Sequence, residues 1–403
     1  MTYISKIVII GSGPAGLLIS RYCSEMGLNT TLISPDIYVP WKSNFCFWVD
    51  EIEEVHYNKY FLKTWKKGLV FSNDGKSTVL DRTYALLDTR RLQSDLLRRC
   101  KKSGVHFIQD RINDVTHNTK SSILKGHNNR YECSIVIDAT GNSGSFIKGR
   151  KPSSPAYQLA YGQHIRCSLQ DIQHHWDLCT DSFVFMDFRN KKFQQNIPTF
   201  LYVLPIAKDQ IFIEETILTT KKQINQNALQ LSLAEKRKEL GLFGVVVQEE
   251  FCKIKMGSMV PNLNQRVLGF GVAAGLVHPV TGYQISRSIN LAPKIASCIA
   301  ENIHDPQKAV NNAWKIMWPR DIQRMWSLYN IGHEVMCDFN HEQMQQFFSS
   351  FFSLEHQSLH KFISANGTTT DVTSTMWNLF LQLDWNSRGQ LLKSIFKTNI
   401  SFT

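Results

Sequence analysis

The chain has 403 residues, 43% of them apolar and 20% charged, a balance that supports a buried core and excludes a disordered chain. Its formal net charge of +11 is dispersed, with no nucleic-acid-binding signature, and its nine cysteines include no C-x-x-C pair that would signal zinc or a redox dithiol. No uncharged apolar run reaches the ~18 residues of a spanning helix, so the expectation is two or three soluble or peripheral units with reduced thiols, no metal and no nucleic-acid partner.

The first element carries the strongest signal. Lys6-Ile7-Val8-Ile9-Ile10 is an apolar strand that runs into Gly11-Ser12-Gly13-Pro14-Ala15-Gly16, and a helix-forming run follows at once. A nucleotide pyrophosphate needs that order: Gly11 permits the tight turn, Gly13 lets backbone amides approach, and Gly16 lets helix and strand pack closely. A fingerprint that starts so early leaves no room for a cleavable leader, which favours a bacterial source, most simply a cyanobacterium. Asn29 to Ile33 reads as the second strand. The acid that holds ribose hydroxyls belongs near its end; Ser34 stands there instead, leaving Asp36 as the candidate. A helix is predicted over Asp88 to Cys100, with Arg90-Arg91 and Arg98-Arg99 on a solvated face.

Ser134 to Gly141 is the second strong signal, a buried strand closing in Asp138-Ala139-Thr140-Gly141. In that place it resembles the second fingerprint of flavoprotein hydroxylase-type folds, and the two together favour FAD over NAD. Short β-prone runs follow between about 155 and 260. Arg266 to Gly275 then repeats a strand, glycine turn and helix start, with Gly271 and Gly275 placed like the third flavin-contacting segment. From Asn311 the sequence is helical, broken at Gly367-Thr368-Thr369-Thr370. The predicted fold is α/β: a Rossmann-like FAD-binding domain of the flavoprotein hydroxylase type from residues 1–150 and 255–305, an inserted β-rich substrate domain at 151–254, and a helical C-terminal region at 306–403.

Phe212-Ile213-Glu214-Glu215-Thr216 closes an apolar strand with two adjacent carboxylates. Neighbours on a strand point to opposite faces, so one of them at most can enter a given cavity. An acid held in an apolar pocket has its pKa raised and becomes a proton donor near neutral pH. The alternative is that both glutamates are simply exposed at the strand end.

These segments resemble the lycopene cyclases of the plant and cyanobacterial type. The likeness runs through Trp48-Val49-Asp50-Glu51, Tyr157 to Gly162, Val184-Phe185-Met186-Asp187, Pro198 to Tyr202 and Phe212 to Thr216. It continues through Gly275-Leu276-Val277-His278-Pro279-Val280-Thr281-Gly282-Tyr283 and Trp314 to Pro319, in the family's order. The resemblance implies non-covalent, reduced FAD, with NADPH as reductant and no net redox change. It implies that acyclic ψ end groups of lycopene, or of monocyclic carotenes, are protonated to a tertiary cation, closed to a six-membered ring and deprotonated to β or ε rings. Glu214 then matches the proton donor, with Glu215 the fallback. His278 relays a proton, orients the isoalloxazine or is structural. Trp48, Asp50, Glu51 and Tyr283 are candidates for the substrate cavity, and Thr281 and Gly282 for the flavin.

Two departures from the family pattern stand out, and one from the pattern of hydroxylases. Ser34 weakens the ribose assignment to Asp36. Thr89 replaces a frequent basic residue, so a flavin-contacting arginine has either shifted, with Arg91 the candidate, or is absent. Gly271-Val272 lacks the acid of hydroxylases, which argues against a monooxygenase. The rivals are an FAD-dependent redox enzyme of the same fold, a polyene reductase or monooxygenase, and a non-catalytic pigment-binding protein. Ring type and oligomeric state are not legible. An insoluble substrate places the enzyme on a membrane surface, expected to be the cytoplasmic face of a cyanobacterial thylakoid or plasma membrane. Two apolar clusters, Met344 to Leu354 and Trp377 to Leu381, either touch lipid or pack in the core.

Overall fold

A computed structural model describes residues 2–72, 75–144, 146–149, 155–168, 170–179, 181–189, 197–257, 259–364, 367–383, 385, 388–389 and 392. Two sheets organise them. The first has seven strands, built around Thr2–Ile10, whose Ile7 to Ile10 pair in parallel with Thr30–Ile33 on one side and with Arg130–Asp138 on the other. His106–Ile108 extends the parallel edge beyond Thr30–Ile33. The far side of Arg130–Asp138 is shared: its start pairs with Ser122–Gly126, and its end pairs in parallel with the returning strand Val267–Gly269. Ile7, Ile9, Leu32, Ile135 and Ile137 are fully buried, as expected of parallel strands covered on both faces. The helices Pro14–Glu25 and Ile285–Glu301 pack against each other over this sheet.

The second sheet has eight strands in the order Val245–Met256, Ala156–Arg166, Gln210–Thr220, Phe200–Ala207, Ser182–Asp187, Phe61–Phe71, Ser77–Leu87 and Cys46–Trp48. It is therefore not confined to 151–254. Its last three strands come from the stretch between the first two fingerprints, so the chain alternates between sheets more often than hydrophobic pattern alone suggests. The helix Gln226–Glu239 covers one face, burying Leu229 and Leu233 against Ile211, Ile213 and Ile217.

The other face meets the C-terminal helices Arg320–Cys337, His341–Phe352 and His356–Ile363. The last described helix, Thr369–Gln382, begins at Thr368 in a capping box with Asp371, which satisfies the first-turn amides where the glycine break was expected. Gly271–Ala274 is a single 3-10 turn ended by left-handed Gly275, so the helix expected there begins later, at Ile285. No helix among the described residues is long and apolar enough to cross a membrane.

Candidate active site

The three glycine segments meet at the carboxyl end of the first sheet. Gly11 has φ +105°, and a Cβ there would lie 2.6 Å from the Ala139 carbonyl oxygen. A Cβ on Gly16 would sit 1.9 Å from the Gly11 oxygen, so only glycine lets this helix start against this turn. A Cβ on Gly271 would come 2.5 Å from the Ala15 Cβ, which ties the third segment to the first. Gly13 differs: nothing lies within 4 Å of its Cβ position. It caps the helix without a side-chain hydrogen bond, Pro14 follows at the first helical position, and the first turn holds no acid. Open space before uncapped amides at a helix N-terminus suits a pyrophosphate, so the residues present fit a dinucleotide.

The remaining expected cofactor contacts are placed less directly. The Ser34 hydroxyl accepts from Ser12 Oγ at 2.9 Å, closing the strand end on itself, while Asp36 is exposed. Arg91 is also exposed, in the first turn of the helix Thr89–Lys102. Asp138 is fully buried, and its carboxylate accepts from Thr140 N at 2.9 Å, Thr140 Oγ1 at 2.6 Å and Phe146 N at 3.3 Å. It shapes the turn that carries Gly141 (φ +69°) rather than offering a free carboxylate.

A cavity of about 500 Å³ runs from these segments across the second sheet to the C-terminal helices. At one end stand Asn142, Val272, Thr281, Gly282 and Gln284; at the other stand Phe347, Phe348, Phe351 and Phe352. Glu214 lies between. Alternation along Gln210–Thr220 sends Phe212, Glu214, Thr216 and Leu218 into the cavity and Ile213, Glu215 and Ile217 into the opposite core. Burial, reinforced by the nearby Glu250 carboxylate, pushes the Glu214 carboxyl up to about 8, so it holds its proton at neutral pH. Its oxygen Oε1 accepts from Thr216 Oγ1 at 2.7 Å.

Glu215 is not an alternative donor. It is fully buried on the far face and ion-paired with buried Lys236 from the covering helix. His278 does not line the cavity either. Its Nδ1 accepts from the Val280 and Thr281 amides at 3.3 and 3.2 Å, and its ring packs 4.4 Å from that of Tyr329. Burial, with Arg287 behind it, pulls His278 down to about 3, so it is a neutral organiser of the turn that presents Thr281 to Tyr283.

Tyr283 lines the cavity as expected, and its hydroxyl meets Tyr84 Oη at 2.7 Å, which accepts from Tyr202 Oη at 3.3 Å. Trp48 stands one layer back, its ring 4.6 Å from Tyr84 and 5.4 Å from Phe185. Asp50 points outward and pairs with Arg82 at 2.7 Å. Glu51 is buried beside a separate small cavity and accepts from Ser286 Oγ at 2.8 Å. Burial lifts Glu51 to about 7, against the pull of Arg82. Asp50 and Glu51 therefore brace the wall behind Trp48.

Sequence reasoning missed Tyr84, Tyr202 and Glu250. Glu249-Glu250 is a second adjacent acidic pair on a strand, Val245–Met256, and the alternation argument made for Glu214-Glu215 would have found it. Of the two C-terminal apolar clusters, the first packs inward, with Phe348, Phe351 and Phe352 buried. The second divides: Leu379 is buried, whereas Trp377 and Leu381 are exposed.

Comparison with known proteins identifies the family and the fold. A family model described as lycopene cyclase protein matches residues 6–386. A chloroplastic lycopene beta cyclase of an Oncidium hybrid is 34% identical over 387 residues, 93% of this chain and 80% of that protein. Among solved structures, a geranylgeranyl bacteriochlorophyll reductase-like protein of Thermoplasma acidophilum superposes with a TM-score of 0.73 at 14% identity, covering 98% of this chain and all of that one. A halogenase crystallised with FAD superposes at 0.65 and 12% identity, covering 98% of this chain and 94% of that one. The fold is that of the FAD-dependent hydroxylase and halogenase type.

Proposed function

The chain belongs to the lycopene cyclase family, and from that premise we propose that it closes β or ε rings on the acyclic end groups of lycopene and monocyclic carotenes, using bound FAD in its reduced form. Glu214 is the observation that carries the reading: a neutral carboxylic acid in the wall of a mainly apolar cavity. Its proton passes to the terminal double bond, forming a C–H bond and leaving a tertiary cation. The neighbouring double bond attacks that cation, a six-membered ring closes, and a ring proton is lost. Atoms and electrons balance without an oxidant.

The cavity walls suit a cation. Apolar residues exclude the water that would trap it, and the π faces of Tyr84, Tyr202, Tyr283 and Phe212 offer stabilisation. The glycine segments would hold FAD without a covalent link, and the flavin, kept reduced by NADPH, would supply electron density to a cation in the cavity. Gly11, Gly13, Pro14, Ala15, Gly16, Gly141, Gly271, Gly275, Thr281 and Gly282 hold it, with Asp138 shaping its turn and Asp36 and Arg91 at its rim. Exposed Trp377, Leu381 and Trp385, on a chain of net charge +11, favour docking on an anionic membrane where the substrate dissolves.

Expression in lycopene-producing bacteria tests the reading. The wild-type chain is expected to replace lycopene by cyclic carotenes of unchanged mass, and Glu214→Gln to leave lycopene linear. Products that gain two hydrogens or an oxygen would support a redox enzyme instead. Unchanged pigment with both chains would support a binding protein.

A further inference from the structure

The strand Ala156–Arg166 lies between Gln210–Thr220 and Val245–Met256, and one residue, Gly162, pairs with Glu214 on one side and Glu250 on the other. Equal register puts both carboxylates on the same face, two strands and about 10 Å apart at their Cα atoms. Glycine makes room between them for the edge of the Phe212 ring, and both acids line the same cavity. A Cβ on Gly162 would lie 3.3 Å from Glu214 Cβ and 2.3 Å from Phe212 Cζ, so the site is shaped around its absence.

The two acids have unlike surroundings. Glu214 accepts one neutral hydroxyl bond, from Thr216. Glu250 accepts from the Asn44 amide at 3.1 Å, from Asn44 Nδ2 at 2.8 Å and from Cys252 Sγ at 2.9 Å. Burial pushes the Glu250 carboxyl up, as it does that of Glu214, but these donors pull it back toward its anion, and Glu214 has only one such donor. The Asn44 side chain is itself held 3.1 Å from His164 Nε2, on the intervening strand. The thiols of Cys46 and Cys252 are pushed up by burial and stay neutral beside the pair. Two adjacent acids whose environments differ in this way divide into a proton donor and a proton acceptor.

We propose that Glu250 is the base of the reaction: it takes the ring proton that the cyclic cation loses. This rests on the cyclase reading above and assigns a residue to its last step. The Glu250 carboxylate forms an O–H bond, the ring C–H bond breaks, and its electron pair becomes the ring double bond. Glu250 then releases that proton to solvent and the Glu214 carboxylate takes up another from solvent, restoring both groups for the next turnover.

The test uses the FAD-loaded, chemically reduced enzyme with lycopene in D2O. Glu250→Gln is expected to cyclise at least about 100-fold more slowly, while recovered lycopene gains deuterium at its end groups, because protonation by Glu214 still occurs and reverses. Asn44→Ala, which keeps the carboxylate but removes a donor to its anion, is expected to shift the acidic limb of the pH profile upward. Cyclisation by E250Q within about threefold of wild type overturns the proposal. So does loss of exchange together with ring closure in an E250Q that keeps its flavin. Should E250Q fail to hold flavin, an unmoved acidic limb in N44A overturns it. A wild-type enzyme that forms no rings sinks the cyclase reading itself.

Discussion

Glu214 and Glu215 show how much a single position along a strand decides. Glu214 is a half-buried neutral acid facing the cavity, whereas Glu215 is a fully buried, ion-paired carboxylate in the opposite core. Glu214→Gln should therefore lower ring formation by about 10²–10⁴-fold, measured on flavin-loaded enzyme. Activity of the wild type should fall as pH rises through about 8, where Glu214 loses its proton. Stability carries the same signature. The unfolded chain releases this proton near 4.5 and the folded chain only near 8, so stability falls as pH rises between those values. E214Q should flatten that slope in urea titrations at several pH values. On the far face, Lys236→Met strands a buried carboxylate and should cost about 3–5 kcal/mol of unfolding free energy, whereas pairing it with Glu215→Leu should restore most of the loss.

At the scale of elements, the strand Ala156–Arg166 is the spine of the site. Gly162→Ala drives a methyl against the Phe212 ring at 2.3 Å. It should destabilise the fold by about 1–3 kcal/mol and reduce cyclisation, read from denaturant midpoints and product yield. The glycine fingerprint, the buried strand ending at Asp138 and the return at Val267 were legible in the sequence, because strand, turn and helix follow one another locally there. Glu214 was legible as one of two, since alternation says that neighbours part but not which faces the cavity. His278 and Asp138 were less legible. Their residue types suit chemistry, but the Asp138 carboxylate and His278 Nδ1 accept hydrogen bonds from their own turns, and those bonds form only on folding. The origin of the second sheet was hidden for a similar reason. Strand Phe61–Phe71 pairs locally with Ser77–Leu87 but finds its other partner, Ser182–Asp187, a long way along the chain.

For the whole molecule, the cavity joins what three distant stretches contribute. The glycine segments close one end, the second sheet supplies acids and aromatic faces, and the helix His341–Phe352 closes the other end with Phe347, Phe348, Phe351 and Phe352. That helix was ambiguous in sequence because an apolar face reads alike toward lipid or core. Its burial leaves Trp377, Leu381 and Trp385 among the outward apolar residues of the described C-terminal region. Replacing Trp377 and Trp385 by serine should weaken co-sedimentation with anionic vesicles while sparing cyclisation of detergent-dispersed lycopene; equal loss of both would tie these residues to the fold instead.

The most direct test of the account is the mass of the carotenes made by the reduced, flavin-loaded enzyme in D2O. Proton donation by Glu214 predicts cyclic products that are isomers of lycopene except for one solvent-derived deuterium in each ring. Cyclic products without solvent deuterium, or products whose composition has changed by hydrogen or oxygen, would contradict it.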